Sequence, residues 1–301
     1  MGDVLSRENK KVLRSFGTHD GTFHADEVTA CALLLLYGQI DKDKIFRTRD
    51  PKFLTSCEFV CDVGGVYDPE RKLFDHHQAN YSGQLSSAGM VLEYLRSQKM
   101  MTIAEHRFFQ QALIIGVDAH DNGVDVTPAG SQTYSNIISN FTPIHHDAPE
   151  EEQGRAFQAA LDFAYSHLDR MKRRFGYIVS CRDRVEEAMQ ASRECLVFET
   201  SIPWMDSFFE LGGENHPAGF VIMPSGHHWK LRGIPPRLAQ KMKVRTPLPE
   251  SWAGLIDEEL KAETGIAGAL FCHKGRFISV WETKEDALKA LELVLRKGRS
   301  L

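Results

Sequence analysis

Three times in its first half this chain runs through a short apolar segment and ends it abruptly in imidazole and carboxylate side chains. Val12 to Thr18 passes into Gly17-Thr18-His19-Asp20-Gly21 and then His24-Ala25-Asp26. Glu58 to Val63 closes on Asp62-Val63-Gly64-Gly65, and Lys72-Leu73-Phe74 leads directly into Asp75-His76-His77-Gln78. The apolar runs, together with Lys44 to Thr48, have the length and composition of strands. Helical stretches, His24 to Tyr37 (stopped by Gly38), Ser86 to Ser97 and Ile103 to Gly116, alternate with them. Strands separated by helices pair in parallel and predict an α/β sheet. In such sheets ligands collect at the carboxyl ends of the strands, where each of these clusters falls.

The rest of the chain bounds the reading. With 301 residues there is room for two modest domains or one large one. Net charge is −5, so any attraction for phosphate or nucleic acid must come from bound metal and local basic surface. Six scattered cysteines (Cys31, Cys57, Cys61, Cys181, Cys195, Cys272) suggest reduced thiols rather than a disulfide framework. Cys57 and Cys61 lack a second pair to complete a zinc site. No apolar run approaches the ~18 residues of a spanning helix. The N-terminus has no signal-peptide pattern, which predicts a cytoplasmic protein away from membranes, with an organellar or nuclear address open in a eukaryotic host. Met1-Gly2…Ser6 matches a myristoylation pattern that is short and frequent by chance.

Past a polar break at Pro143 to Pro149, a helical stretch from about Glu150 to Glu199, interrupted near Gly176, reads as a connector. The remainder is richer in Gly and Pro, with short strands around Gly219–Met223, Trp229–Leu231, Ala269–Cys272 and Phe277–Val280. A helix with a Thr283/Asp286 capping box closes the chain and stops at Gly298. This predicts two α/β domains, residues 1–190 with a mainly parallel sheet flanked by helices and the connector, and a smaller one at 191–301.

Candidate metal ligands are His19, His24, Asp26, Asp62, His76 and Asp118. His24 and Asp26 flank one small residue at a loop-to-helix start, and Asp62 could bridge two ions through its two oxygens. Asp75, His77 and Asp121 are assigned to the catalytic chemistry. His77 cannot easily share an ion with His76 on an extended segment, so it would face the phosphoryl oxygens. Asp118, Asp121 and Asn122 also fit a turn or helix end. Mixed imidazole and carboxylate donors favour Mn²⁺ over Mg²⁺, with Mg²⁺, Zn²⁺, Co²⁺ or Fe²⁺ still possible. Two ions held about 3.5–4 Å apart would activate water near neutral pH and clamp both oxygens of an in-line displacement.

Asp75-His76-His77, preceded by Asp62 and His24-Ala25-Asp26, resembles the DHH phosphoesterase superfamily. Within it, Gly17 to Glu27, Asp62 to Asp68 and Val117 to Gly123 are similar to the melanocyte-proliferating-gene branch, also called UPF0160. The likeness runs almost end to end, including Arg245 to Trp252 and Gly265 to His273. The superfamily implies two α/β domains with substrate between them, and the branch implies a 3′–5′ exonuclease acting on RNA. The commoner superfamily opening has a His followed four and six residues later by Asp. Here His24 and Asp26 take the Asp-like places and His19 lies five before His24, which leaves His19 and Asp20 as rival ligands.

From Asn215 to Pro249 there is no acidic residue, while Lys230, Arg232, Arg237, Lys241, Lys243 and Arg245 add cations beside His227, His228 and Trp229. Cations interleaved with an aromatic ring suit a phosphate backbone and a stacked base, although a solvated basic face has the same composition. Expected substrate contacts are His227, Trp229, Lys230, Arg232, Arg237 and Arg245. Gly265 to His273 resembles the part of the second domain that faces the metal cleft, where close backbone approach to phosphate needs Gly. Gly265, Gly268 and His273, the last as a terminal-phosphate or 3′-end contact, therefore join them. The predicted function is a Mn²⁺-dependent phosphodiesterase on single-stranded RNA or short oligonucleotides. The alternatives are a small-molecule phosphohydrolase of pyrophosphatase or dinucleotide phosphatase type, and a non-catalytic RNA-binding protein. Oligomeric state stays open, a homodimer included.

Overall fold

Because β1 (Val12–Thr18), β3 (Cys57–Cys61) and β5 (Leu73–Phe74) run parallel and adjacent, their carboxyl ends open on one edge of a single sheet. The structure is a computed structural model describing residues 11–124, 127–145, 147–241 and 243–298. The Met1-Gly2…Ser6 pattern lies outside the described residues. Two units divide at Phe175/Gly176, inside a long helix, so the expected boundary at 190/191 falls within the second.

In the first unit α1 (Ala25–Leu36) follows β1, and β2 (Ile45–Arg47) and α2 (Pro51–Leu54) precede β3. The strand β4 (Tyr67–Asp68) precedes β5, and the sheet order is β2-β1-β3-β5-β4, antiparallel only at β4. Next come α3 (Ser87–Ser97), α4 (Ile103–Phe109), a π turn (Gln110–Ile114), α5 (Ile115–Asp121), α6 (Tyr134–Ser139) and α7 (Glu150–Ser180). Helix α1 has buried residues all round, Val28, Ala30, Cys31, Ala32, Leu33 and Leu34 among them, as expected of a helix enclosed by its neighbours. It packs on α3 and shares a core with Phe16, Phe59, Phe74, Tyr94, Phe109 and Phe157. The expected 103–116 helix continues through the π turn, so Asp118 and Asp121 lie on a helix rather than in a turn.

The second unit contains α8 (Arg182–Ala191), β6 (Cys195–Val197), α9 (Met205–Glu210), β7 (Phe220–Ser225) and β8 (His228–Gly233). It ends with α10 (Asp257–Thr264), β9 (Ala269–Cys272), β10 (Ile278–Trp281) and α11 (Lys284–Gly298). The sheet order is β6-β7-β8-β10-β9, with only β6–β7 parallel. Strand β6 corrects the expectation of helix through Glu199. The helical run breaks at Cys181 instead of Gly176, and Cys195 pairs with Phe220 across the sheet. One sheet face buries Leu231, Trp252 and Trp281, and the other buries Leu196, Val221 and Phe208. The Thr283/Asp286 cap is present, with Asp286 N–H donating to Thr283 Oγ1 at 3.1 Å. All six cysteines are free and buried. Among the described residues no helix is long and apolar enough to cross a membrane.

Candidate metal centre

The loop after β1 carries His19 to His24, the loop after β3 carries Asp62 to Val66, and Asp75 to His77 follow β5. The second and third of these segments are tied to one another by hydrogen bonds, and the first joins them through His19 Nε2, 3.2 Å from Asp62 Oδ2. Asp62 N–H donates to Phe74 O at 3.0 Å, and Asp75 N–H donates to Val66 O at 3.1 Å. Asp75 carboxylate accepts from Gly65 N–H at 2.6 Å, from His77 N–H at 3.1 Å and from His77 Nδ1 at 2.9 Å. Asp62 sits at φ 57°, in the left-handed region, and Gly64 and Gly65 continue the turn at 100° and 65°. A non-glycine residue held there costs about 1–2 kcal/mol, which the surrounding contacts must offset.

Three donor groups meet on this edge: His19, His24, Glu27 and Asp62; then Asp62, His76 and His77; then His24, Asp26 and Asp121. Asp62 joins two of them. Its Oδ2 lies 3.2 Å from His19 Nε2, and its Oδ1 lies 3.4 Å from His76 Nε2. His76 Nε2 is also 3.0 Å from Asp121 Oδ2, and His19 Nε2 is 3.2 Å from Glu27 Oε1. His19 Nδ1, 2.8 Å from the carbonyl of Asp20, must carry a proton there, which aims Nε2 at the carboxylates. His24 opens α1, its N–H donating to Glu27 carboxylate at 2.9 Å.

A cation fits this donor set because several donors are buried and lack a hydrogen-bond partner. Both oxygens of Asp26, which is fully buried, are unsatisfied, as are Asp62 Oδ1 and His76 Nε2. The short His76 contacts are close in distance without hydrogen-bond geometry. An uncompensated buried carboxylate costs several kcal/mol, on the order of 3–5, unless a cation or proton answers it. Burial first, then the charges of Glu27, Asp62 and Asp121, push Asp26 well above the usual carboxylate range. Burial opposes ionisation of Asp62, but His19 and His76 outweigh it and hold Asp62 at about 2. His19 reaches about 10, because its hydrogen bonds to Asp62 and Glu27 exceed the opposing effect of burial. His76 reaches about 10 through Asp121 and Asp62, against burial.

A linkage prediction follows from these two imidazoles. Their folded pKa lies above the ordinary 6.5, so their stabilisation of the metal-free protein is complete below 6.5 and lost as pH rises towards 10. Metal must displace the same protons, so its affinity rises across that window. Thermal melts at pH 6.5, 8 and 9 should show the chelated protein weakening while the gain on adding Mn²⁺ grows. A gain independent of pH would refute proton displacement.

The structure brings together five of the six expected ligands, His19, His24, Asp26, Asp62 and His76. Asp118 is turned elsewhere. Its Oδ1 accepts from Ser86 N–H at 3.0 Å, Ser86 Oγ at 2.7 Å and Gly89 N–H at 3.2 Å, capping α3. Asp121, one helical turn on, reaches the donor set instead. Glu27 belongs to the set and was not singled out from sequence, although two acids in the first turn of a helix were the available signal. Asp20 offers its side chain to Arg49, with Nε 3.2 Å from Oδ1. His77, with 65% of its side chain exposed, lines a cavity of about 710 Å³ beside His19, His24, Asp62 and Arg49.

In the second unit several expected substrate contacts have structural employment. Arg245 donates to the carbonyls of Gly213, His216, Ala218 and Pro235 and lies over Phe208 at 5.5 Å. Gly265 caps α10 at φ 70°, and a Cβ on Gly268 would lie 2.1 Å from Asp286 Oδ2. His273 Nδ1 accepts from Gly275 N–H at 2.9 Å within the β9–β10 hairpin. Trp229 is half-buried on the core under Lys284, whose Nζ is 5.8 Å from its ring. Lys230 and Arg232 alternate along β8, half-buried, with Arg232 Nε unsatisfied. His227 and Arg237 are exposed.

The model of a family described as Uncharacterised protein family (UPF0160) matches residues 15–295. A Chlamydia trachomatis relative called MYG1 protein is 48% identical over 96% of this chain and 99% of its own. The human MYG1 exonuclease is 32% identical over 93% of this chain and 85% of its own. A solved structure of exonuclease RecJ bound to manganese aligns at a TM-score of 0.30 and 12% identity, over 96% of this chain and 91% of that one, too slight a likeness to assign any residue a role.

Proposed function

The chain belongs to UPF0160, and from that premise we propose that it is a metal-dependent hydrolase of nucleic-acid phosphodiesters, a 3′–5′ exonuclease on single-stranded RNA or short oligonucleotides. One observation carries the reading: the fully buried Asp26 carboxylate has no hydrogen-bond partner, and Asp62 Oδ1 and His76 Nε2 are equally unsatisfied. Human, rat and bovine relatives that are named exonucleases, at 31–32% identity, support the substrate class. The mixed nitrogen and oxygen donors support Mn²⁺ over Mg²⁺.

His19, His24, Glu27 and Asp62 would hold one ion; His76 with Asp62 and Asp121, and Asp26 with His24 and Asp121, offer the donors for a second. Divalent cations, when bound, supply an activated water and neutralise charge on the phosphoryl oxygens. Around them the protein's own groups act by position. Asp75, accepting from His77 Nδ1–H, fixes that ring and leaves Nε2 to the cavity, where the doubly protonated ring would donate to a non-bridging phosphoryl oxygen. The helix start at Ala25 adds its positive end to the same edge.

End-labelled single-stranded RNA incubated with Mn²⁺ should shorten as a ladder from the 3′ end. RNA left intact across several divalent metals would refute the proposal. His76→Ala should lose metal occupancy. His77→Ala should keep metal and slow turnover by ~10²–10³, the scale of one transition-state donor. Equal metal loss in both variants, by elemental analysis, would count against this division of roles.

A further inference from the structure

We propose that Arg49 is a phosphate-binding residue of the metal cavity, held ready by Asp20 and released to the substrate backbone. The inference rests on the phosphodiesterase reading and adds to it a contact outside the metal ligands. The cavity is lined by the acids Asp20, Asp62 and Asp75, and Arg49 is its Lys or Arg among the described residues. An anionic substrate entering acidic walls needs cationic groups besides the ions, and a planar guanidinium can grip two phosphate oxygens at once.

Arg47 and Arg49, two residues apart, are employed differently. Arg47 donates to Gly21 O and to Gln153 O, and stacks on Phe157 at 4.8 Å and Phe23 at 5.6 Å, which commits it to structure. Arg49 has one side-chain ion pair among the described residues, to Asp20 at 3.2 Å, with side chains 64% and 47% exposed. Exposed ion pairs of this kind are weak and exchange readily. The backbone presenting Arg49 is nevertheless fixed. Thr48 N–H donates to Thr18 O at 2.8 Å, Asp50 N–H donates to Thr48 Oγ1 at 3.1 Å, and Asp50 Oδ1 caps α2 through Lys52 N–H at 2.9 Å. An exposed cation on a fixed backbone, sharing the cavity lining with His77, suits a group that trades a carboxylate for a phosphate.

The test compares wild type, Arg49→Gln and Arg49→Lys in steady-state cleavage of single-stranded RNA with Mn²⁺. In a separate arm, calorimetry measures inorganic phosphate binding to the Mn²⁺-loaded proteins. Arg49→Gln should raise KM about 10–100-fold with kcat little changed, the loss of a charge-assisted contact made equally in ground and transition states. Arg49→Lys should fall between, and phosphate binding should weaken in the same order, with Mn²⁺ content and Tm unaltered. A KM within twofold of wild type, equal or absent phosphate binding, or loss of Mn²⁺ in Arg49→Gln would overturn the assignment. Should wild type cleave no RNA, the exonuclease reading falls, and the phosphate arm alone still decides Arg49.

Discussion

Asp62→Asn should abolish metal-dependent activity, by at least ~10³-fold, the scale seen when a group through which several others act is removed. Asparagine is the informative replacement. Asp62 sits at φ 57°, which Asn tolerates, whereas Ala would add about 1–2 kcal/mol of backbone strain and confuse the outcome. The change keeps the shape and removes the charge from the residue shared by two donor groups. It also removes the main partner that raises His19, and the second partner, after Asp121, that raises His76. Stability supplies a second readout. Mn²⁺ at 100 times its dissociation constant stabilises the wild-type fold by about 2.7 kcal/mol per independent site. Asp62→Asn should lose most of that gain. A variant with wild-type Mn²⁺ stoichiometry and an undiminished Tm gain would remove Asp62 from the centre of the site.

How much of this could be read from residues alone depended on how each group is carried. Groups at the ends of parallel strands were legible, because adjacent strands with a common direction must bring their carboxyl ends together. Asp62, His76 and the His19 to Asp26 segment follow from that alone. Groups on helices were less so. Asp118 and Asp121 stand three apart on one face of α5, and only packing decides which points at His76. The π turn before α5 sets that rotation and leaves no trace in the hydrophobic pattern. Strand β6 was hidden for a different reason. Three residues at the end of a helical run become strand because Cys195 to Val197 pair with Phe220 to Ile222, a partner twenty-five residues away in sequence. Arg245 and Gly268 show a third limit. A cation among basic neighbours and a glycine near a strand suggest a ligand, yet here one binds four carbonyls and the other makes room for Asp286.

Asp118 gives the largest expected effect on stability. Ser86 N–H, Ser86 Oγ and Gly89 N–H all converge on one of its oxygens, while Ser87 Oγ donates to Phe74 O at 2.8 Å. The start of α3 thereby clamps α5, which carries Asp121, to the end of β5, which His76 follows two residues on. Asp118→Ala leaves three buried donors without an acceptor and should cost about 3–5 kcal/mol, combining a lost cap with unsatisfied buried groups. That corresponds to a fall in Tm of roughly 10 °C for a unit of this size. Asp118→Asn should cost far less. Burial, only partly offset by the three donors, already raises this carboxyl above its ordinary pKa, so a neutral acceptor of the same shape serves nearly as well. Gly89→Ala should resemble Asp118→Ala, since a Cβ there would lie 2.5 Å from Asp118 Oδ2. Metal content separates this role from ligation: a strut predicts that Asp118→Asn keeps its Mn²⁺, whereas a ligand predicts its loss in a protein that still melts cooperatively.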